Sequence, residues 1–302
     1  MKFIDKLREA VRRNNSRVCV GLDSDYDKLP KSAKTHQNPQ GYFNKRIIEA
    51  TKKTVCAYKI NIAFYECRGA EGWKSLEITV NAIPEDIPII IDAKRADIGN
   101  TAKKYAQAFY EYLNADAVTV NPYLGIDGIK PFLEYPDKCA FVLCHTSNRS
   151  SIDFQRLRVM LDADIKSDDI QIPLKRKLSG KRFIGKGKGG EDVIAPNRLF
   201  EVVARRVAEW DSIGSCGLVV GANASDDFKS IIEIAPGLPL LIPGIGAQGG
   251  DIKETVSALE GTDFLINSSR GIIFADGYDD FAEGAYSQAS ALRDIINDIL
   301  MK

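Results

Sequence analysis

Eight short apolar runs, each followed by a polar or amphipathic stretch, constrain this chain more than any other feature. They cover 17–23, 55–61, 87–94, 117–121, 139–146, 217–221, 238–244 and 263–268. Stretches such as Pro88-Ile89-Ile90-Ile91 and Leu238-Pro239-Leu240-Leu241-Ile242 are continuously apolar rather than alternating. A parallel strand covered on both faces reads this way. Between the runs lie helical patterns. One is 101–113, with Tyr105, Ala108, Phe109 and Tyr112 on one side, and another is 197–210, with Leu199, Val202, Val203 and Val207. Eight successive β-α units predict an α/β fold, a (β/α)8 or TIM barrel, usually about 250 residues long. The 302 residues here leave room for two additions. One is an N-terminal helix over 3–13, with Ile4, Leu7 and Val11 on one face. The other is a polar, irregular insert over 147–195, between the fifth strand and its helix. The expectation is a single domain spanning 1–302. A doubly wound open sheet is the second possibility, but it uses fewer strands and leaves the last two units surplus.

Charge and composition narrow the function. Lys plus Arg and Asp plus Glu both number 41, so the basic excess that supports non-specific nucleic-acid binding is missing. No apolar run approaches the length of a membrane span. The N-terminus, MKFIDKLREA, lacks the apolar core of a secretory signal. The six cysteines contain no C-x-x-C pair, and most sit in apolar runs, as reduced thiols of a cytoplasmic protein do. Only His36 and His145 are available, which excludes a His-rich zinc site and leaves proton chemistry to Lys, Asp or Glu. His145 reads as a core or rim histidine. The basic stretch from Lys175 to Lys188 reads as a solvated loop, and Gly187-Lys188 is followed by Gly, so it is not a P-loop.

In a barrel of this kind chemistry sits where strands end, and charged residues cluster there. Asp92 and Lys94 are two apart at the end of the third run, so their side chains share one face. Asp97 follows in the loop and Thr101 opens the next helix. Two readings stand. The pair is a structural ion pair with Asp97 or Asn100 as a helix cap, or it is part of a site. Lys59 on the neighbouring strand favours a site, because an Asp-Lys-Asp-Lys array is expensive to desolvate and is tolerated mainly where it functions. Gly244-Ile-Gly-Ala-Gln248-Gly249 matches G-x-G-x-x-G but follows the seventh strand, not the first. It reads as a glycine turn or as a phosphate site built with Arg270 after the eighth strand.

Asp92-x-Lys94-Arg95-x-Asp97-Ile98-x-x-Thr101 resembles the active-site pattern of the orotidine 5′-phosphate decarboxylases, specifically their longer bacterial branch. The resemblance runs the length of the chain, through Gly21-Leu22-Asp23, Tyr58-Lys59-Ile60-Asn61, Thr119 to Gly125, Thr146-Ser147-Asn148, Pro243 to Gly249 and Ser269-Arg270-Gly271. One departure is Arg149-Ser150, where many relatives carry Pro-Gly. The resemblance implies decarboxylation of orotidine 5′-phosphate to uridine 5′-phosphate in pyrimidine synthesis, with no cofactor and no metal. It implies that Lys94 stabilises and protonates the carbanion, that Asp92 stands near the substrate carboxylate, and that Lys59 and Asp97 hold both in place. Asp23, Asn61 and Thr101 are then ribose contacts, and Thr146 and Ser147 face the pyrimidine. Pro243, Gln248, Gly249, Ser269 and Arg270 form the phosphate end. Asp97, Ile98 and Thr101 reach the other subunit's site, implying a homodimer. No fused orotate phosphoribosyltransferase domain is expected. Two alternatives remain at this stage: a magnesium-dependent phosphosugar aldolase or decarboxylase on the same barrel, and a non-catalytic nucleotide-binding module.

Overall fold

The computed structural model describes residues 1–159, 184–186, 192–194, 197–245, 251–275 and 280–301. Eight parallel strands close into a barrel: β1 (Val18–Gly21), β2 (Ala57–Asn61), β3 (Ile89–Arg95), β4 (Ala117–Val120), β5 (Cys139–His145), β6 (Cys216–Val220), β7 (Leu240–Pro243) and β8 (Phe264–Ser268). They are ordered consecutively, with β8 returning to pair with β1. All eight lie on the expected runs to within one residue, β3 running on to Arg95 and β6 starting at Cys216.

The apolar runs are continuous because each strand serves two cores by alternation. One set of residues, including Val20, Tyr58, Ile60, Ile89, Ile91, Val118, Val142, Leu218 and Ile266, packs outward against the helices. The intervening set, including Cys19, Ala57, Ile90, Ala117, Phe141, Val219, Leu241 and Leu265, fills the barrel. The fill is tight. A Cβ on Gly217 would lie 2.6 Å from the Phe141 ring, so only glycine fits opposite that aromatic.

The N-terminal helix, α1 (Phe3–Asn14), plugs the bottom of the barrel. Phe3, Leu7 and Ala10 are buried in the interior cluster, and the Phe3 ring meets Phe141 edge-on at 5.5 Å between centroids. Ion pairs from Lys6 to Asp116 (2.7 Å) and Arg8 to Asp263 (2.6 Å) fix its angle. With its lower end sealed by apolar side chains, the barrel is open at the C-terminal ends of the strands.

The expected insert begins with a 3-10 turn, Arg149–Asp153. Arg158–Val159 then pairs antiparallel with Asn197–Arg198, and Ile184–Lys186 pairs antiparallel with Asp192–Ile194. The rest of 160–196 lies outside the described residues. The helix Leu199–Trp210 follows. The final helix, Phe281–Leu300, is capped by the Asp280 carboxylate, which accepts from the Ala282 amide. No helix among the described residues is long and apolar enough to cross a membrane.

Candidate active site

A cleft of about 840 Å³ occupies the open end of the barrel. Asp23, Lys59, Asp92, Lys94, Thr146, Ser147, Pro243, Ser269 and Arg270 line it, so residues from six of the eight strand ends meet as the sequence predicts. Gln248 and Gly249 lie outside the described residues. Asn61, Asp97, Ile98 and Thr101 do not line this chain's cleft. The Asn61 Oδ1 accepts the Ala63 amide at 3.2 Å. The Asp97 Oδ1 accepts the Ile98 amide, and Ile98 and Thr101 are exposed.

The charged array is a chain of alternating sign. Lys59 Nζ donates to Asp92 Oδ2 at 2.8 Å and lies 3.6 Å from Asp23 Oδ1. Lys94 Nζ donates to the other Asp92 oxygen at 2.5 Å. Lys59 and Asp92 are buried, whereas the Lys94 side chain is 49% exposed toward the cleft. Burial alone would raise the Asp92 carboxyl, but Lys59 and Lys94 outweigh it and hold it well below the usual carboxylate range. Burial alone would likewise lower Lys59. Asp23 and Asp92 outweigh that, and its ammonium is held above its ordinary value. The carboxylate therefore stays ionised and Lys59 stays charged, while the exposed Lys94 presents its ammonium to whatever fills the cleft.

The backbone that presents Lys94 is unusual. Lys94 adopts φ +47°, a left-handed conformation that costs a side-chain-bearing residue on the order of 1–3 kcal/mol. The β3–β4 register slips between Ile91 and Arg95 at this point. Thr119 pins the distortion: its hydroxyl accepts the Lys94 amide at 3.0 Å and donates to Asp92 Oδ1 at 2.9 Å. The sequence reading missed Thr119, although a threonine at an inward position of an apolar strand was a usable signal. It also missed Asn267, buried on β8 and lining the cleft, and Gln155, which arrives from the insert and had no pattern to mark it.

His145 is not in the cleft lining. It is buried against Phe200, with 4.9 Å between ring centroids, and its Nε2 faces Arg156 Nε at 3.4 Å. Burial, reinforced by Arg156 and Arg198 against Asp227, lowers its pKa. That fits the core or rim histidine expected from sequence. Five of the six cysteines are buried, Cys67 is exposed, and none forms a disulfide.

Known proteins match both this sequence and this architecture. Residues 16–172 match the model of the Orotidine 5′-phosphate decarboxylase / HUMPS family. An orotidine 5′-phosphate decarboxylase of Dehalococcoides mccartyi is 44% identical over 302 residues, covering 98% of each chain. The structure of Leishmania donovani OMP decarboxylase superposes with a TM-score of 0.77 at 36% identity, covering both chains completely. Leishmania donovani UMP synthase gives a TM-score of 0.78 at 38% identity, covering 99% of this chain and 57% of that one. The phosphosugar alternative finds no support among these relatives. With its closed eight-stranded barrel and full-length likeness to those proteins, the chain belongs to the orotidine 5′-phosphate decarboxylase family.

Proposed function

We propose that this protein is a carboxy-lyase that decarboxylates orotidine 5′-phosphate to uridine 5′-phosphate in pyrimidine nucleotide synthesis, without a cofactor. The observation that carries the reading is Lys94, its ammonium 2.5 Å from Asp92 at the open side of the cleft. Breaking the bond between the pyrimidine C6 and its carboxylate releases CO2 and leaves the electron pair on C6. No carbonyl is placed to delocalise it, so a fixed cation and a proton are what a protein can supply. Lys94 supplies both, and its proton completes the new C–H bond. At about 3 Å and an effective dielectric of about 20, a unit charge contributes roughly 5 kcal/mol. That is part of the barrier only, and binding energy from the remote phosphate supplies more.

Asp92 faces the substrate carboxylate in this reading, a like-charge contact relieved as CO2 leaves. Thr119, Lys59 and Lys94 already fix the Asp92 oxygens, so the carboxylate has little freedom to retreat. Asp23 lines the cleft with its side chain 16% exposed and accepts from a ribose hydroxyl, the role given also to Asn61. Thr146 and Ser147 face the base. Arg270, Ser269 and Pro243, with Gln248 and Gly249, take the phosphate. Asp97, Ile98 and Thr101 serve a partner subunit in a homodimer. The exposure of Ile98 and Thr101, and of the apolar Tyr123 and Leu124 on the next unit, supports that reading. The buried free thiols fit a cytoplasmic protein.

The test is the loss of orotidine 5′-phosphate absorbance. Wild-type protein turns over with and without EDTA, and Lys94→Ala abolishes turnover while retaining uridine 5′-phosphate binding. Turnover near the wild-type rate in Lys94→Ala would remove the lysine from this role.

A further inference from the structure

We infer that Gln155 is a positioning residue that sets the geometry of base recognition, and that the Arg156–Asp227–Arg198 clamp holds it there. The inference rests on the proposed function, because it concerns the loop that faces the pyrimidine. Both polar atoms of the Gln155 side chain are committed to one residue. Its Oε1 accepts the Thr146 amide at 2.7 Å, and its Nε2 donates to Thr146 Oγ1 at 2.8 Å. The Thr146 hydroxyl then donates to Asn148 Oδ1 at 2.6 Å. A carboxamide is the side chain suited to this, since it offers an acceptor and a donor side by side. The far side of the loop is closed by the turn that follows β6. Asn223 Nδ2 donates to the Ser147 carbonyl at 3.1 Å, and a Cβ on Gly221 would lie 2.7 Å from Ser147 Cβ. Thr146 and Ser147 are therefore gripped from two sides, and their outward groups face the cleft in one orientation.

Gln155 comes from a segment without regular secondary structure, so something must fix it. Its neighbour Arg156 reaches Asp227 Oδ2 at 2.8 Å, and Arg198, just past the insert at the start of the next helix, reaches Asp227 Oδ1 at 2.6 Å. Asp227 is 5% exposed. One buried carboxylate on the helix Ser225–Ile234 thus ties the insert and the chain that follows it to the barrel. The Gln155 backbone is held as well, its amide donating to the Ser151 carbonyl at 2.8 Å and its carbonyl accepting from the Phe200 amide at 3.0 Å.

The experiment compares two ligands that share ribose and phosphate but differ in the base: uridine 5′-phosphate and ribose 5-phosphate. Gln155→Leu is expected to weaken uridine 5′-phosphate binding about tenfold, the scale of a lost hydrogen bond, and to leave ribose 5-phosphate inhibition unchanged. Gln155→Glu keeps an acceptor for the Thr146 amide but loses the donor, so it should weaken uridine 5′-phosphate less, again without touching ribose 5-phosphate. It carries the test if the leucine variant fails to fold. Equal losses for both ligands would mean a merely structural role and overturn the inference. So would unchanged affinity for both. Wild-type protein that fails to turn over orotidine 5′-phosphate would overturn the proposed function and this inference together. Active wild type with an indifferent Gln155 overturns the inference alone.

Discussion

Replacing Lys59 with methionine removes one charge from the centre of the array and keeps nearly the same volume. In the wild type its ammonium lies 2.8 Å from Asp92 and 3.6 Å from Asp23. At an effective dielectric of about 20 these contacts have gross strengths of about 6 and 5 kcal/mol. Desolvation of the buried ammonium offsets much of this, so the net value of the array is far smaller than the sum. Removing one partner is a different matter, because the desolvated carboxylates remain. Breaking a buried pair in this way costs about 3–5 kcal/mol. Lys94 still serves Asp92 in the variant, but it is half-exposed and partly screened. The expected loss of stability at pH 7.5 is therefore about 3–5 kcal/mol, read from urea unfolding. The pH dependence gives a second check. Asp92 is held below its ordinary value in the folded wild type, so its contribution is complete above the carboxylate range and is lost as pH falls through it. In Lys59→Met the Asp92 carboxyl loses its largest depressing charge and moves up, so it protonates more readily in the folded protein. The stability gap between wild type and variant should thus shrink between pH 7.5 and pH 4. Placed on an Asp92→Asn background, Lys59→Met should be far milder. A gap under about 1 kcal/mol at pH 7.5, or one that does not change with pH, would refute this account of the array.

Thr119→Val leaves the part-buried Lys94 amide without its acceptor and should destabilise by about 1–3 kcal/mol; kcat should fall more than KM rises, since Lys94 is misplaced rather than removed. Arg270→Ala is expected to raise KM for orotidine 5′-phosphate while leaving activity on the phosphate-free nucleoside nearly unchanged, and equal losses would contradict phosphate contact. Gly217→Ala puts a methyl 2.6 Å from the Phe141 ring and should cost about 1–3 kcal/mol in thermal or urea unfolding. Phe3→Ala opens the base of the barrel and should cost about 3–5 kcal/mol; a near-neutral result would show that the α1 plug is dispensable.

Much of the site was legible because strand alternation turns sequence spacing into direction. Asp92 and Lys94, two apart at the end of an apolar run, had to share a face, and the run containing Lys59 had to lie beside theirs in a consecutive barrel. That Asp92 would bond both lysines at once, one on each oxygen, was not readable, because it depends on the register Asn61↔Asp92 and on the slip beyond Ile91. Gln155 was invisible for another reason. Its role comes from a segment whose path is fixed by Asp227, a residue 72 positions further along the chain, and no local pattern records such a closure.

The order of apolar runs, their lengths and the charged residues that end them determined the barrel, the open end and the identity of the ionic groups, because period-two alternation and right-handed crossovers leave few other solutions. Tertiary structure alone decided which lysine is buried and which faces the cleft, how Thr119 fixes the strained Lys94 backbone, and where the insert delivers Gln155. Those outcomes depend on ångström-scale register and on partners distant in sequence, which spacing along the chain does not encode.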